Sequence, residues 1–167
     1  MAPTQLYRVE RARPGDIHDL TGLLASLFAI ESDFSIDGAK QQRGLELLLA
    51  QPQDRAVVLV ARADNDKAIG MASAQLVIST AEGAPSAWIE DVVVDKAFQR
   101  RGVARLLLDG LAAWARRNGA TRLQLVADSG NQSALDFYRQ LRWQPTQLSV
   151  WRRLLRDLQG SSDSPIC

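Results

Sequence analysis

The chain has 167 residues, a length typical of one domain, and a chain of about this size buries roughly 70% of the surface that its unfolded form exposes. Its 20 basic and 19 acidic residues leave a formal net charge of +1, which excludes a strong overall attraction to nucleic acid or to an anionic membrane. The single cysteine, Cys167, excludes an internal disulfide, and no apolar stretch approaches the length of a membrane span. We therefore expect a cytoplasmic protein with one domain over residues 1–158 and a frayed tail over residues 159–167.

The first half of the chain predicts a strand, two helices and a β-hairpin. Asp16 and Asp37 are expected as N-caps of the helices, because aspartate favours the position before a helix begins. A polar turn at residues 64–67 joins the hairpin strands, since its residues tolerate a left-handed φ. The predicted elements are a strand over residues 6–12, helices over residues 16–29 and 38–50, and hairpin strands over residues 55–63 and 68–79.

The second half predicts a central strand, a strongly amphipathic helix and three shorter elements. Residues 88–94 contain a β-branched run, and apolar residues recur from Val103 to Ala115 at the spacing of one helix face. Gly119 supplies the left-handed residue that usually ends a helix. A strand over residues 121–127, a helix over residues 132–141 and a closing strand over residues 149–154 are predicted to follow. This mixed order, with a βαβ crossover, predicts an α/β or α+β fold with a largely antiparallel sheet.

The loop between the central strand and the amphipathic helix is the strongest candidate for a binding site. A loop that opens a helix exposes backbone N–H groups without an intrahelical acceptor, and the helix dipole adds positive charge there. Such ends bind phosphates, and Gly102 lets a ligand approach the backbone closely. Ala104 keeps the first turn thin, while Arg100, Arg101 and Arg105 add positive charge. The implied ligand is a pyrophosphate.

Two common pyrophosphate-binding motifs are missing from the sequence. No G-x-x-x-x-G-K-[ST] loop is present, and no G-x-G-x-x-G follows any predicted strand. Coenzyme A is the ligand that remains.

The sequence resembles the GNAT superfamily of acyl-CoA-dependent N-acyltransferases. The family signature Q/R-x-x-G-x-G/A is met by Gln99, Gly102 and Ala104, and residues 89–94 look like the family's fourth strand. A second conserved block of the family is similar to Asn131, Ala134, Phe137, Tyr138 and Leu141. The resemblance spans roughly residues 6–154 and implies a GNAT-like fold, a central, mostly antiparallel mixed sheet of six to seven strands flanked by about four helices.

The resemblance also implies a set of residues that bind acetyl-CoA, used as a co-substrate without a metal. Backbone groups of the central strand would pair with the pantetheine arm as an added strand, and the loop and helix start would hold the pyrophosphate. The residues expected to bind acetyl-CoA are Val92, Val93, Val94, Gln99, Arg100, Arg101, Gly102, Val103, Ala104, Arg105 and Asn131.

Two side chains are expected to carry the catalysis in the resembled family. Glu90 matches the position of the general base, and strand alternation allows only one of Glu90 and Asp91 to face the pocket. Tyr138 resembles the general acid that protonates the leaving thiolate. The alternatives are a half-buried Glu90 satisfied by strand amides and a Tyr138 that is only a packed aromatic. Arg142 stands where the family usually has glycine, so the helix before it is expected to end differently.

The acceptor is the least defined part of the prediction. In the resembled family the region after the first helix forms one wall of the acceptor pocket, so Glu31 and Asp33 would hold a cationic group above Phe34. The alternative is a polar, solvated loop. The sequence therefore predicts acetyl transfer to a small cationic primary amine by direct attack in a ternary complex, in a possible homodimer. A protein or peptide amine as acceptor, or a non-catalytic acyl-CoA-binding regulatory module, are the alternatives.

Overall fold

The computed structural model describes residues 7–31, 33 and 35–155. The chain divides into two compact units, Met1–Leu125 and Val126–Cys167, which we call the sheet unit and the C-terminal unit. Three predictions lie wholly or partly outside the described residues: the start of the first strand at residue 6, the role of Phe34 and the tail over residues 159–167.

One five-stranded sheet organises the sheet unit, and its strand order follows the chain. The first four strands pair antiparallel, and β5 pairs parallel with β4 because α3 carries the chain back to the start of β4. The hairpin predicted around the polar turn is present. The strands are β1 Arg8–Arg11, β2 Ala56–Arg62, β3 Ala68–Ser79, β4 Ala84–Val94 and β5 Arg122–Leu125.

The described residues contain four α-helices, and their bounds are α1 Ile17–Phe28, α2 Gly38–Leu49, α3 Val103–Arg117 and α4 Gln132–Gln140. Asp37 caps α2 as predicted, with its carboxylate accepting the backbone N–H of Lys40 at 3.2 Å. Asp16 precedes α1 without capping it, because its carboxylate instead binds the Arg62 guanidinium. None of these helices combines the length and the apolar character that crossing a membrane requires.

The two faces of the sheet bury different helices, as strand alternation requires. Val58 and Val60 of β2 share a buried cluster with leucines of α1 and α2. Leu59, between them, faces α3, where a Cβ added to Gly110 would lie 2.9 Å from its Cδ1. β2 is therefore covered on both faces, which explains why every one of its residues is buried.

The prediction of six to seven strands is wrong for the described residues, which contain five. The closing strand expected over residues 149–154 is irregular chain, and its apolar side chains are exposed, Trp151 by 93%. A strand forms only where a neighbour accepts its backbone hydrogen bonds, and the described part of the C-terminal unit contains α4 but no strand. Sequence alternation alone does not supply such a partner.

Candidate functional site

A β-bulge interrupts β4 in the middle of the sheet unit. Ala72 of β3 pairs with Val92 and Ala74 pairs with Ile89, so two residues on β4, Glu90 and Asp91, lie opposite one residue on β3. Bulges of this kind re-aim side chains and are frequent beside active sites. The central strand therefore changes its facing pattern at the two carboxylates.

Both carboxylates line one cleft of about 320 Å³ beneath α2, which we call the α2 cleft. The prediction that only one of Glu90 and Asp91 faces the pocket is wrong, because the bulge breaks the alternation on which it rested. Opposite the carboxylates, α2 contributes an apolar wall that includes Leu47 and Leu48. The complete lining is Gly44, Leu47, Leu48, Gln51, Gln75, Glu90 and Asp91.

Asp91 is the more enclosed of the two acids. Its carboxylate accepts a hydrogen bond from the Ser73 hydroxyl at 3.2 Å, and its backbone N–H donates to the same hydroxyl at 3.4 Å. Burial raises the pKa of Asp91 to about 6, the Ser73 hydrogen bond opposes that rise, and the negative charges of Glu90 and Glu31 add to it. A carboxyl group with such a pKa exchanges protons near neutral pH.

Glu90 lies at the exposed side of the same cleft. Its Oε1 accepts a hydrogen bond from the indole Nε1–H of Trp88 at 3.1 Å, which orients the carboxylate along the strand. The sequence left open the alternative that backbone N–H groups of the strand satisfy the Glu90 carboxylate. No such hydrogen bond is present among the described residues.

The acidic loop after α1 contributes unequally to this region. Glu31 is partly buried, and its charge acts on Asp91, which places it near the bulge. Asp33 is exposed. Glu31 thus acts electrostatically on a cleft carboxylate, but neither Glu31 nor Asp33 is among the residues that line the α2 cleft.

Beyond the bulge, one edge of β4 has no paired strand among the described residues. The β5 ladder reaches only Ile89, so residues 92–94, beyond the bulge, pair with β3 alone. Asp95 donates its N–H to Ile69 on β3, and alternation then directs the backbone groups of Val94 and Val92 to the opposite edge. Val93 pairs with Met71, so its backbone faces β3 and its side chain is buried. Two of the three valines predicted to bind the cofactor thus present their backbones to the open edge.

The loop that follows β4 turns sharply into α3. Its backbone is left-handed at Arg100, with φ 59°, and at Gly102, with φ 83°. Alternating left-handed residues are typical of concave turns whose N–H groups face an anion. Gly102 is the N-cap of α3 without a side-chain cap, and no other group lies within 4 Å of the position its Cβ would occupy. This arrangement fits a phosphate group.

Some side chains around this loop hold it against its neighbours, and others are exposed to solvent. Gln99 donates its side-chain amide to the Val94 carbonyl at 3.1 Å and so braces the loop against β4. Arg101 stacks 5.6 Å from the Phe98 ring centroid, and Arg105 is exposed beside Asp109. Val103 is buried and Ala104 partly buried, so both offer the ligand mainly their backbone N–H groups. No three metal-ligating side chains cluster within the described ranges.

The remaining predicted residues lie in the C-terminal unit. Asn131 caps α4, with its side-chain oxygen accepting the Ala134 N–H at 3.1 Å. Tyr138 is partly buried on α4, with its ring centroid 5.4 Å from that of Phe137 and 5.7 Å from that of Trp143. The ring contacts of Tyr138 do not decide between a packed aromatic and a general acid, because a packed tyrosine still has a polar hydroxyl.

The end of α4 corrects one prediction. Arg142 adopts a left-handed φ of 63°, the conformation that glycine would take there, and the Trp143 N–H donates to the Tyr138 carbonyl at 3.0 Å. The expectation of a different helix end is therefore wrong. Arg142 adopts the strained left-handed conformation, and the helix ends as it would with glycine at this position.

Sequence reasoning missed the α2 wall, the role of Ser73 and the exposure of Asp91 to the cleft. The available signal was the pair of consecutive carboxylates within the otherwise apolar residues 88–94. A bulge allows both side chains to lie outside the core. Ser73 carried no signal of its own, since its importance comes only from the residue opposite it on β4.

Several solved structures share this fold, although no curated protein sequence matches the chain. A possible acetyltransferase from Clostridium difficile 630 superposes with a TM-score of 0.77 at 18% identity, over 89% of this chain and 97% of that chain. Aminoglycoside N-acetyltransferase AAC(6')-Iy in complex with CoA gives 0.76 at 19% identity, over 92% and 98%. An aminoglycoside acetyltransferase from an uncultured soil metagenomic sample, in complex with sisomicin, gives 0.70 at 25% identity, over 89% and 96%.

The sequence supports the same assignment as the fold. The model of the acetyltransferase (GNAT) family matches residues 24–142, which is more than half of the chain and includes the bulge, the loop and α4. The chain therefore belongs to the GNAT family of acetyl-CoA-dependent N-acetyltransferases.

Proposed function

We propose that this acetyltransferase moves an acetyl group from acetyl-CoA to a primary amine of a small cationic molecule held in the α2 cleft. The observation that carries the proposal is the pairing of Glu90 and Asp91 with an apolar wall of α2 in one cleft. Carboxylates attract an ammonium group, while Leu47 and Leu48 suit the aliphatic chain between two amines. The nearby charge of Glu31 strengthens the preference for a cation.

Acetyl-CoA supplies the thioester. The loop before α3 suits its pyrophosphate, and the edge of β4 suits its pantetheine arm. The open space at Gly102 and the uncapped start of α3 favour the pyrophosphate. The edge of β4 at Val92 and Val94, which β5 does not pair, favours the amide-bearing arm by strand addition, with the Val94 carbonyl already bound by Gln99. The guanidinium groups of Arg100 and Arg105 add positive charge near the loop.

Proton transfer is the main chemical task of the protein side chains. An amine of the lysine type has a pKa near 10.4, so at pH 7 only about one molecule in 2,500 is neutral, a cost of roughly 4.6 kcal/mol. A carboxylate at the bulge removes this proton, the role for which the sequence favours Glu90, and Tyr138 returns a proton to the departing thiolate. The only cysteine of the chain is Cys167, outside every motif, so the amine attacks directly.

The test is release of free thiol from acetyl-CoA at about pH 8, with pooled aminoglycosides, polyamines, amino acids and short peptides as acceptors. Aminoglycosides come first because two of the structural relatives carry that name. Cys167 adds a fixed background that a protein-only blank removes. We expect turnover with a polycationic pool. Turnover only with peptides would favour a protein acceptor, and binding of acetyl-CoA without any turnover would favour a regulatory module.

The acidic loop offers a second test, on the acceptor alone. We expect Glu31→Gln to raise the KM of the identified amine several-fold, because its charge reaches the cleft, and Asp33→Asn to raise it less. Glu46→Gln is the matched control, since Glu46 is an exposed acid of α2 that does not line the cleft. An unchanged KM in both loop variants would remove the loop from the acceptor site.

A further inference from the structure

Asp91 and Glu90 differ in what surrounds them, although they are neighbours on one bulge. Asp91 is partly buried and is held twice by the Ser73 hydroxyl, at 3.2 Å to its carboxylate and 3.4 Å from its backbone N–H. Ser73 is itself only 1% exposed, so this bridge has little freedom to move. Glu90 is exposed and is bound by an indole N–H. One acid is fixed at the inner wall of the cleft and the other stands at its rim.

We propose that Asp91, and not Glu90, accepts the proton of the substrate ammonium group, with Ser73 as the residue that positions its carboxylate. The inference rests on the proposed function, because it needs an amine in the α2 cleft. One N–H bond of the ammonium breaks and one O–H bond forms on Asp91, which leaves a neutral amine and a neutral carboxylic acid. The proton then passes to solvent at the open side of the cleft, beside Glu90.

The charges around Asp91 favour this role. Burial is the largest contribution that raises the pKa of Asp91 to about 6, and the titratable groups that add to it are Glu90 on its own strand and Glu31 after α1. A base works best when its pKa lies close to the working pH. Glu90 then has a separate task, which is to attract the cation and to raise the basicity of its neighbour.

Substitutions of Asp91, Glu90 and Ser73 are expected to change the pH profile of kcat/KM for the identified amine in three different ways. Activity of the native protein rises with pH as Asp91 loses its proton, through an acid limb near pH 6. Asp91→Asn is expected to lower kcat about 100-fold and to abolish that limb. Glu90→Gln is expected to keep the limb and move it to lower pH, because a neighbouring negative charge is lost. Ser73→Ala is expected to move it to higher pH, because a hydrogen bond to the charged form is lost.

Two controls separate this proposal from a structural effect and from failure of the proposed function. Asp54→Asn, at an exposed turn outside the cleft, should leave the profile unchanged. Calorimetric binding of acetyl-CoA should stay within about twofold in every variant, which shows that each one is folded. An acid limb that survives in Asp91→Asn but disappears in Glu90→Gln overturns the proposal and leaves the proposed function intact. A native protein without turnover on any amine overturns both.

Discussion

Replacement of Asp91 by asparagine is expected to stabilise the protein at alkaline pH. Asparagine keeps an oxygen that can accept the Ser73 hydrogen bond, but it carries no charge into the partly buried site. Burial raises the pKa of Asp91 from the ordinary 3.8 to about 6, so the folded chain binds this proton more tightly than the unfolded chain does. The native charge at Asp91 is therefore a cost to folding once the proton is lost.

The magnitude follows from the difference between the two pKa values. A pKa difference of one corresponds to about 1.4 kcal/mol, so the cost of the ionised Asp91 is about 3 kcal/mol at pH 8. The cost falls as the pH drops through 6 and is about 0.5 kcal/mol at pH 4, close to the pKa of the unfolded chain. The gain from the asparagine is expected to have the same pH dependence. Because the cleft is open to solvent, about 3 kcal/mol is an upper value.

Urea unfolding of both proteins at pH 8, 6 and 4 measures this difference, with Asp54→Asn as the matched surface control. The comparison between variant and native protein cancels the contributions of carboxylates that do not interact with Asp91, whereas Glu90 and Glu31 stay coupled to the substituted site. An asparagine variant that is no more stable than the native protein at pH 8 would refute the reasoning. So would a gain of equal size at pH 8 and pH 4, because only titration of Asp91 makes the gain depend on pH.

Three further predictions concern the loop and α4. Gly102→Ala places a side chain at a φ of 83°, a strain of about 1–2 kcal/mol that we expect the free loop to relieve by leaving this conformation and that acetyl-CoA binding must then restore. The Kd of acetyl-CoA measured by calorimetry should therefore rise roughly 5- to 30-fold, and unchanged binding would contradict the role of this glycine. Tyr138→Phe should lower turnover roughly ten- to a thousandfold with little effect on acetyl-CoA binding, and an unchanged rate would remove Tyr138 from the mechanism. Arg142→Gly should stabilise the protein by about 0.5–1 kcal/mol in urea unfolding, whereas Arg139→Gly inside α4 should destabilise it by about 1 kcal/mol; equal effects would argue against strain at Arg142.

Local sequence patterns predicted most elements of the sheet unit because each depends on neighbouring residues. The apolar face of α3 follows the helical period, and its buried residues are those that the spacing predicted, including Leu107 and Leu111. Asp37 caps α2 through a contact three residues away. The turn at residues 64–67 joins β2 and β3 as its composition predicted.

Predictions that depend on a distant partner were less successful. Residues 149–154 alternate like a strand, yet the described structure shows no partner strand and the segment is irregular. Ser73 and Asp91 are 18 residues apart, and only the register of β3 against β4 brings them together. Both residues can be read from the sequence, but the bulge that places Asp91 opposite Ser73 cannot.

The sequence by itself determined the family, the loop that suits a pyrophosphate and the positions of most helices and strands, because these depend on motifs and on short-range periodicity. The tertiary structure alone decided which carboxylates share the α2 cleft and how their environments differ. Alternation along an isolated strand would send Glu90 and Asp91 to opposite faces, and only the bulge against β3 turns both towards α2. The physical reason is that a pKa and a facing direction are set by the groups packed around a residue, which the order of residues along the chain does not specify.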